Sequence, residues 1–182
     1  EVFKNIKTCI KKKFRLEVKE LKQHNLKKIL KIDVNKKQVG SDRLANAISV
    51  INNKDNFIIL DFGTATTFDV VIKNRYKGGI IAPGVNLSLK TLVEKAKLIP
   101  NTELTKIKNI IGKNTQNAVR SGFYWGYQGL IQNIINIIEK KTKKKFKIIF
   151  TGGLSHLYRN TLKKKIIVDK DLTVKGLLRL IN

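Results

Sequence analysis

One short stretch, Asp61-Phe-Gly-Thr-Ala-Thr-Thr-Phe-Asp69, gathers residue types that handle phosphate. Asp61 offers a carboxylate to a cation, Gly63 permits a tight turn, and Thr64, Thr66 and Thr67 offer hydroxyls. Bare backbone N–H groups, hydroxyl donors and a carboxylate in one small volume suit phosphate and the cation that travels with it. A β-hairpin whose Asp and Thr merely satisfy turn hydrogen bonds would read the same way. Asp69 reads either as a structural partner or as a ligand. A second pair, Asp42-Arg43, follows Gly40-Ser41. Taken alone, Asp42 reads first as a helix cap. In a site it could accept the proton of an alcohol. Arg43 could then grip a carboxylate in a fork or steady a moving phosphoryl group, and the residues do not choose.

Such residues need elements to hold them. Phe57 to Leu60 is a continuous apolar run with β-branched members, which reads as a buried strand ending on Asp61. Phe68 to Ile72 reads as a second strand, and a hairpin through Lys73-Asn74-Arg75 leads to a third over about 77–82, stopped by Pro83-Gly84. Leu44, Ala45, Ala47, Ile48 and Ile51 share one helical face, with Ser41 or Asp42 as the N-cap. Further out, Phe3, Ile6 and Ile10 predict a helix over 3–13. Phe14, Leu16 and Val18 alternate with charged residues and predict a strand. Residues 25–32 read as a strand or a short helix. Leu89, Leu92, Val93 and Ala96 predict a helix closed by Pro100. The longest helix is predicted over about 114–140, with Gly122, Gly126 and Gly129 admitting a closely packed neighbour. A strand over 146–150, the turn Thr151-Gly152-Gly153, a short strand at 166–168 and a helix from about Leu172 complete the pattern. Strands alternating with helices around a three-stranded meander give an α/β fold with a mixed sheet.

The chain has 182 residues, 42% of them hydrophobic, enough for one large domain or two small ones. No apolar run is long enough to span a membrane, so no membrane partner is expected. The single cysteine, Cys9, cannot form an internal disulfide, which suits a reducing cytoplasm. The net charge of +25, from 38 basic and 13 acidic residues, points towards nucleic acid. Its distribution points away. Only six of the 38 are Arg, the residue whose planar fork reads bases and phosphates. The Lys clusters are spread along the chain among Ile and Asn, residues that A/T-rich codons supply. A solvated Lys surface is therefore the preferred reading. The chain starts at Glu1 and has no Met, so residues are expected to precede it.

The motifs occur in a particular order. Gly-Ser-Asp-Arg at 40–43 and the Asp61–Asp69 stretch come first, followed by Gly-Gly-Ile-Ile-Ala-Pro-Gly at 78–84 and Ile-Gly-Lys-Asn-Thr at 111–115. Ser121-Gly122, Thr151-Gly152-Gly153 and Asp-Leu-Thr-Val-Lys-Gly-Leu at 171–177 complete the set. Together, from about Lys31 to the end, they resemble type III pantothenate kinase, of the acetate kinase–Hsp70–actin superfamily. The resemblance implies a ribonuclease H-like, actin-like ATPase fold: a mixed sheet flanked by helices, with two subdomains in the full protein. Residues 1–55 would be the remainder of the first subdomain and residues 56–182 the second.

By the same resemblance the activity is transfer of the ATP γ-phosphate to pantothenate, the first step of coenzyme A synthesis, by a homodimer. ATP would come with magnesium, and a monovalent cation, potassium or ammonium, would be required. Gly40, Ser41, Asp42, Arg43 and Thr115 match pantothenate-binding positions, with Ser41 in place of the usual Ala. Asp42 matches the catalytic base, Thr64 an ATP contact and Asp61 the monovalent-cation ligand. Thr151-Gly152-Gly153 would let the backbone pass close to the adenosine. Asp33 stands where family members often have a substrate-contacting Tyr, and Lys36 where they have Pro. The family's opening Asp-x-Gly-Asn-Thr turn, which grips the ATP phosphates, is absent from the 182 residues. The expectation is an N-terminally incomplete chain that is not itself a working kinase, with an exposed sheet edge beside residues 14–18. Two alternatives remain: an inactive family member serving as a DNA-associated transcriptional accessory protein, and another sugar or acid kinase of the superfamily.

Overall fold

A computed structural model describes residues 2–181. Its centre is one six-stranded sheet in the order β1-β4-β3-β2-β5-β6. β2 (Asn56–Phe62), β3 (Ala65–Ile72) and β4 (Arg75–Pro83) form the antiparallel meander expected from their apolar runs and hairpin turns. β5 (Lys147–Gly152) runs parallel to β2, and β6 (Ile166–Val168) parallel to β5. β1 (Lys31–Ile32) pairs parallel with β4 at the other edge. The undecided segment 25–32 thus divides between a 3-10 turn, Leu26–Lys28, and this two-residue strand.

Successive strand residues point to opposite faces, and the two faces carry different cores. On one, Phe57, Ile59, Val71, Tyr76 and Ile149 pack under α2 (Ser41–Val50) and α6 (Leu172–Leu178). On the other, Ile58, Leu60, Phe62, Phe68 and Phe150 pack under the 28-residue α4 (Thr115–Thr142). α3 (Val85–Lys95) and α5 (Ser155–Tyr158) lie on this second side, burying Val85 and Tyr158. Residues on both sides of position 55 share the sheet and the first core.

Three expectations need correcting. The predicted strand over 14–18 does not form, and none of these residues belongs to the sheet. Phe14 ends α1 (Val2–Phe14), and Arg15 takes a left-handed conformation, φ 56°, that turns the chain out of the helix. Phe14 and Leu16 stay 58% and 61% exposed, so alternation had no surface to pair with or bury against. Neither Ser41 nor Asp42 is the N-cap of α2. Gly40 holds that place, and both lie in the first turn. A Cβ at Gly40 would collide with the Asp42 carboxylate. Finally, no described residue packs closely on Gly122, Gly126 or Gly129 of α4, where an added Cβ would have nothing within 4 Å. The close helix contact is at Gly176 of α6, whose missing Cβ makes room for the Ala45 carbonyl of α2.

Candidate functional site

Alternation along the strands selects the polar residues of the site. Asp61 on β2 stands opposite Thr67 on β3 and Thr151 on β5, all on the α2 side. Asp69 lies two residues further along β3 on the same face, opposite Gly79 of β4. α2 crosses above them and lowers Arg43 and Asn46 onto the carboxylates, while Asp42, one helical turn before Asn46, remains exposed.

Asp61 is held by a chain of hydrogen bonds. Asn46, fully buried, donates through Nδ2 to Asp61 Oδ2 at 3.1 Å. Its own Oδ1 accepts from Thr173 Oγ1 of α6 at 2.7 Å. Gly152, at φ 82°, bounds the other side, since a Cβ there would lie 2.6 Å from Asp61 Oδ1. Burial holds the Asp61 carboxyl above its usual range; Asn46 opposes this, and the negative charge of Asp42 adds to it. The two carboxylates therefore feel each other across the site.

Asp69 is completely buried and is an ion-pair partner: Arg43 Nη2 lies 2.7 Å from its Oδ1. Tyr76 donates to the same oxygen at 2.6 Å. Burial pushes Asp69 up, against the pull of Arg43, Tyr76 and Thr67. Burial also pushes the Tyr76 hydroxyl far up, beside the Asp69 charge, so it stays a donor.

The three threonines of the turn divide. Thr64 is exposed at the tip between β2 and β3, where Gly84 packs against the Gly63 and Thr64 carbonyls. Thr67 faces the site, 3.4 Å from Asp69 Oδ2. Thr66 points to the opposite face, fully buried, its hydroxyl without a partner among the described residues. Gly40, Ser41, Asp42 and Arg43 lie together at the start of α2. Thr115 is in the exposed first turn of α4, and no hydrogen bond among the described residues ties it to α2. The loop before it folds over α4 and lines a cavity of about 220 Å³ with Ile111, Gly112, Lys113 and Asn117. Asp33 pairs with Lys77 and Arg75 at 2.6 Å each, which holds its carboxyl below the usual range.

Sequence reasoning missed Asn46, Tyr76 and Thr173. Asn46 alone left a signal: an amide within the apolar stripe Leu44–Ile48, one turn beyond Asp42. Tyr76 and Thr173 depend on partners 7 and 127 residues away.

No group of three His, Cys, Asp or Glu side chains among the described residues could hold a metal ion. Asp61 is a single carboxylate whose Oδ1 accepts no hydrogen bond among the described residues. That fits a monovalent ion completed by neutral oxygens better than an all-protein divalent site.

The family model for type III pantothenate kinase matches residues 1–137. A type III pantothenate kinase of Pelagibacter ubique (strain HTCC1062) is 62% identical over 177 residues, covering 97% of this chain and 71% of that protein. One from Ruegeria sp. (strain TM1040) is 43% identical over 144 residues, covering 78% of this chain and 55% of its own length. Against that relative the chain thus spans about half the length. Among solved structures, a protein from Campylobacter jejuni assigned to the Baf family of transcriptional activators superposes with a TM-score of 0.63 at 23% identity. It covers 91% of this chain and 79% of its own. A structure from Sinorhizobium meliloti assigned as a 2-dehydro-3-deoxygalactonokinase gives a TM-score of 0.54 at 13% identity, covering 76% of this chain and 57% of its own. At these identities the structures speak for the fold, an actin-like ATPase fold built on a mixed sheet.

Proposed function

The chain belongs to the type III pantothenate kinase family, and from that premise we propose that the protein transfers the ATP γ-phosphate to pantothenate, opening coenzyme A synthesis. The observation that carries the reading is the cluster under α2. An exposed carboxylate, Asp42, stands beside Arg43 over the half-buried Asp61 near the end of β2 and the buried Asp69 within β3. Phosphoryl transfer asks mainly for positioning and charge stabilisation. An alcohol is a weak nucleophile, and a carboxylate that accepts its hydrogen bond orients it and takes its proton.

In this reading Asp42 is the base. It is exposed, so an acceptor can reach it, and no side chain among the described residues caps the N-terminus of α2, which leaves first-turn N–H groups for a ligand. Gly40, Ser41, Arg43 and Thr115 bind pantothenate. Thr64, at the exposed turn tip, contacts ATP. Asp61 holds potassium or ammonium, and magnesium enters with ATP. The bound ions would supply positive charge next to the phosphates; Asn46 and Gly152 fix the carboxylate that would receive the monovalent one. We further read the protein as a homodimer of the cytoplasm. No helix among the described residues is long and apolar enough to cross a membrane.

The test uses enzyme expressed from its complete coding sequence and follows ATP- and pantothenate-dependent formation of phosphopantothenate. Asp42→Asn should lower kcat by about 10²–10⁴ and leave the melting temperature unchanged. An Asp42→Asn enzyme that keeps most of its turnover removes Asp42 from the role of base. A parent enzyme that turns over equally well without potassium or ammonium removes Asp61 from the cation site.

A further inference from the structure

We propose that Asp69 and Tyr76 are positioning residues for Arg43: they occupy one edge of its guanidinium and leave the other turned to an oxyanion of the bound substrates. The identity of that oxyanion, acceptor carboxylate or transferring phosphoryl group, rests on the kinase reading above; the positioning does not.

A guanidinium has two edges that bind in a fork, one formed by Nε and Nη2 and one by the two Nη atoms. In Arg43 the first edge is spent. Nε donates to Asp69 Oδ1 at 2.8 Å and Nη2 lies 2.7 Å from the same atom. Tyr76 Oη donates to that oxygen as well, at 2.6 Å. Asp69 and Tyr76 are both fully buried, and the Arg43 side chain is 13% exposed. No hydrogen bond among the described residues uses Nη1. The N–H groups of Arg43 without a partner among the described residues therefore lie on its end-on edge, on a side chain that is not fully closed off.

Three separate features of the chain build this arrangement. Alternation along β3 puts Asp69 on the α2 face. A bulge then re-aims Tyr76. Val70 pairs with Gly78 but Val71 with Tyr76, so Lys77 is the extra residue. Without it Tyr76 would face α4; with it the ring shares the face of Val71 and its hydroxyl reaches Asp69. Gly78, at φ 106°, supplies the backbone conformation the bulge needs. Gly79 supplies space, because a Cβ there would lie 2.5 Å from Arg43 Nη2. Stability alone is a weak reason for such a device, since buried ion pairs seldom outperform apolar packing. A fixed orientation is what it delivers, and it explains Arg rather than Lys, whose point charge has no edge to orient.

Tyr76→Phe removes one hydroxyl and keeps the ring, so it should fold. In the enzyme from its complete coding sequence it should change one kinetic parameter by about tenfold, the scale of one lost bond to a buried charge. A rise in KM for pantothenate, with KM for ATP within about twofold, places the acceptor carboxylate on Arg43. A fall in kcat with both KM values kept places the phosphoryl group there. Either supports positioning, provided that Tyr76→Phe adds less than about twofold in an Arg43→Lys background, as coupled residues should. Unchanged kinetics, or factors that simply multiply in the double variant, overturn it. Hydrogen exchange of the Arg43 Nε–H, followed by NMR without substrate, tests the geometry directly. It should be protected in the parent and released in Asp69→Asn. Exchange equally fast in both overturns the proposal. Protection without any phosphorylation of pantothenate supports the positioning and counts against the kinase reading alone.

Discussion

Asp61 and Phe62 are neighbours in β2 and serve opposite sides of the sheet. The α2 face carries Asp61, Thr67, Asp69 and Thr151, each paired or in contact with α2, α6 or a neighbouring strand. The α4 face, one residue out of step, carries Phe62, Phe68, Phe150 and the stacked ring of Tyr158, 5.4 Å from that of Phe62. The same strands thus provide a rigid apolar floor on one side and a set of oriented charges on the other. Charges can be held beside a sheet only where buried partners meet them, and α2 with α6 supply those partners. On the α4 side the Thr66 hydroxyl finds no partner among the described residues.

The largest test of this contrast is Phe68→Ala. Phe68 is fully buried under α4, and its truncation should cost about 3–5 kcal/mol, read by thermal or denaturant unfolding. Thr67→Ala, one residue away on the half-buried site face, should cost far less. Equal losses at 67 and 68 would mean that the two faces are not differently packed.

Glycines sharpen the contrast between the helices. Gly176→Ala drives a methyl into the Ala45 carbonyl and should destabilise by about 1–3 kcal/mol. Gly126→Ala fills open space in a helix interior and should stabilise by about 1 kcal/mol. A destabilising Gly126→Ala in the complete protein would show that another surface covers α4 there.

The smallest effect expected is a pH dependence at Asp61. Its folded value lies above the ordinary 3.8 because burial disfavours the charge. The favourable contribution is then complete below the unfolded value and lost as pH rises through the raised folded one. Asp61→Asn should therefore melt higher than the parent at neutral pH in potassium-free buffer. The gap should close as pH falls towards 3.8. A gap that widens on acidification would mean that the carboxylate is stabilised, not strained, by its surroundings.

Much of this was legible in the residues themselves. The apolar runs 57–60 and 68–72, the Gly63 turn and the Pro83-Gly84 stop fix the meander, because strand period and turn chemistry are local properties. The helical spacing of Leu44, Ala45, Ala47 and Ile48 likewise fixed α2, and with it the neighbourhood of Asp42 and Arg43. Where alternation lacked a partner the same logic failed, as at Leu16, because a strand needs an edge that local sequence cannot supply. Asp69 could be read from sequence as partner or ligand; only the crossing of α2 over β3 brought Arg43 to it. The bulge at Lys77 and the approach of Thr173 to Asn46 were equally invisible, since both depend on register and on contacts between distant segments. The chain by itself determined which chemistries were on offer. Tertiary structure decided which side chains are held, because orientation comes from burial and paired hydrogen bonds that no single segment contains.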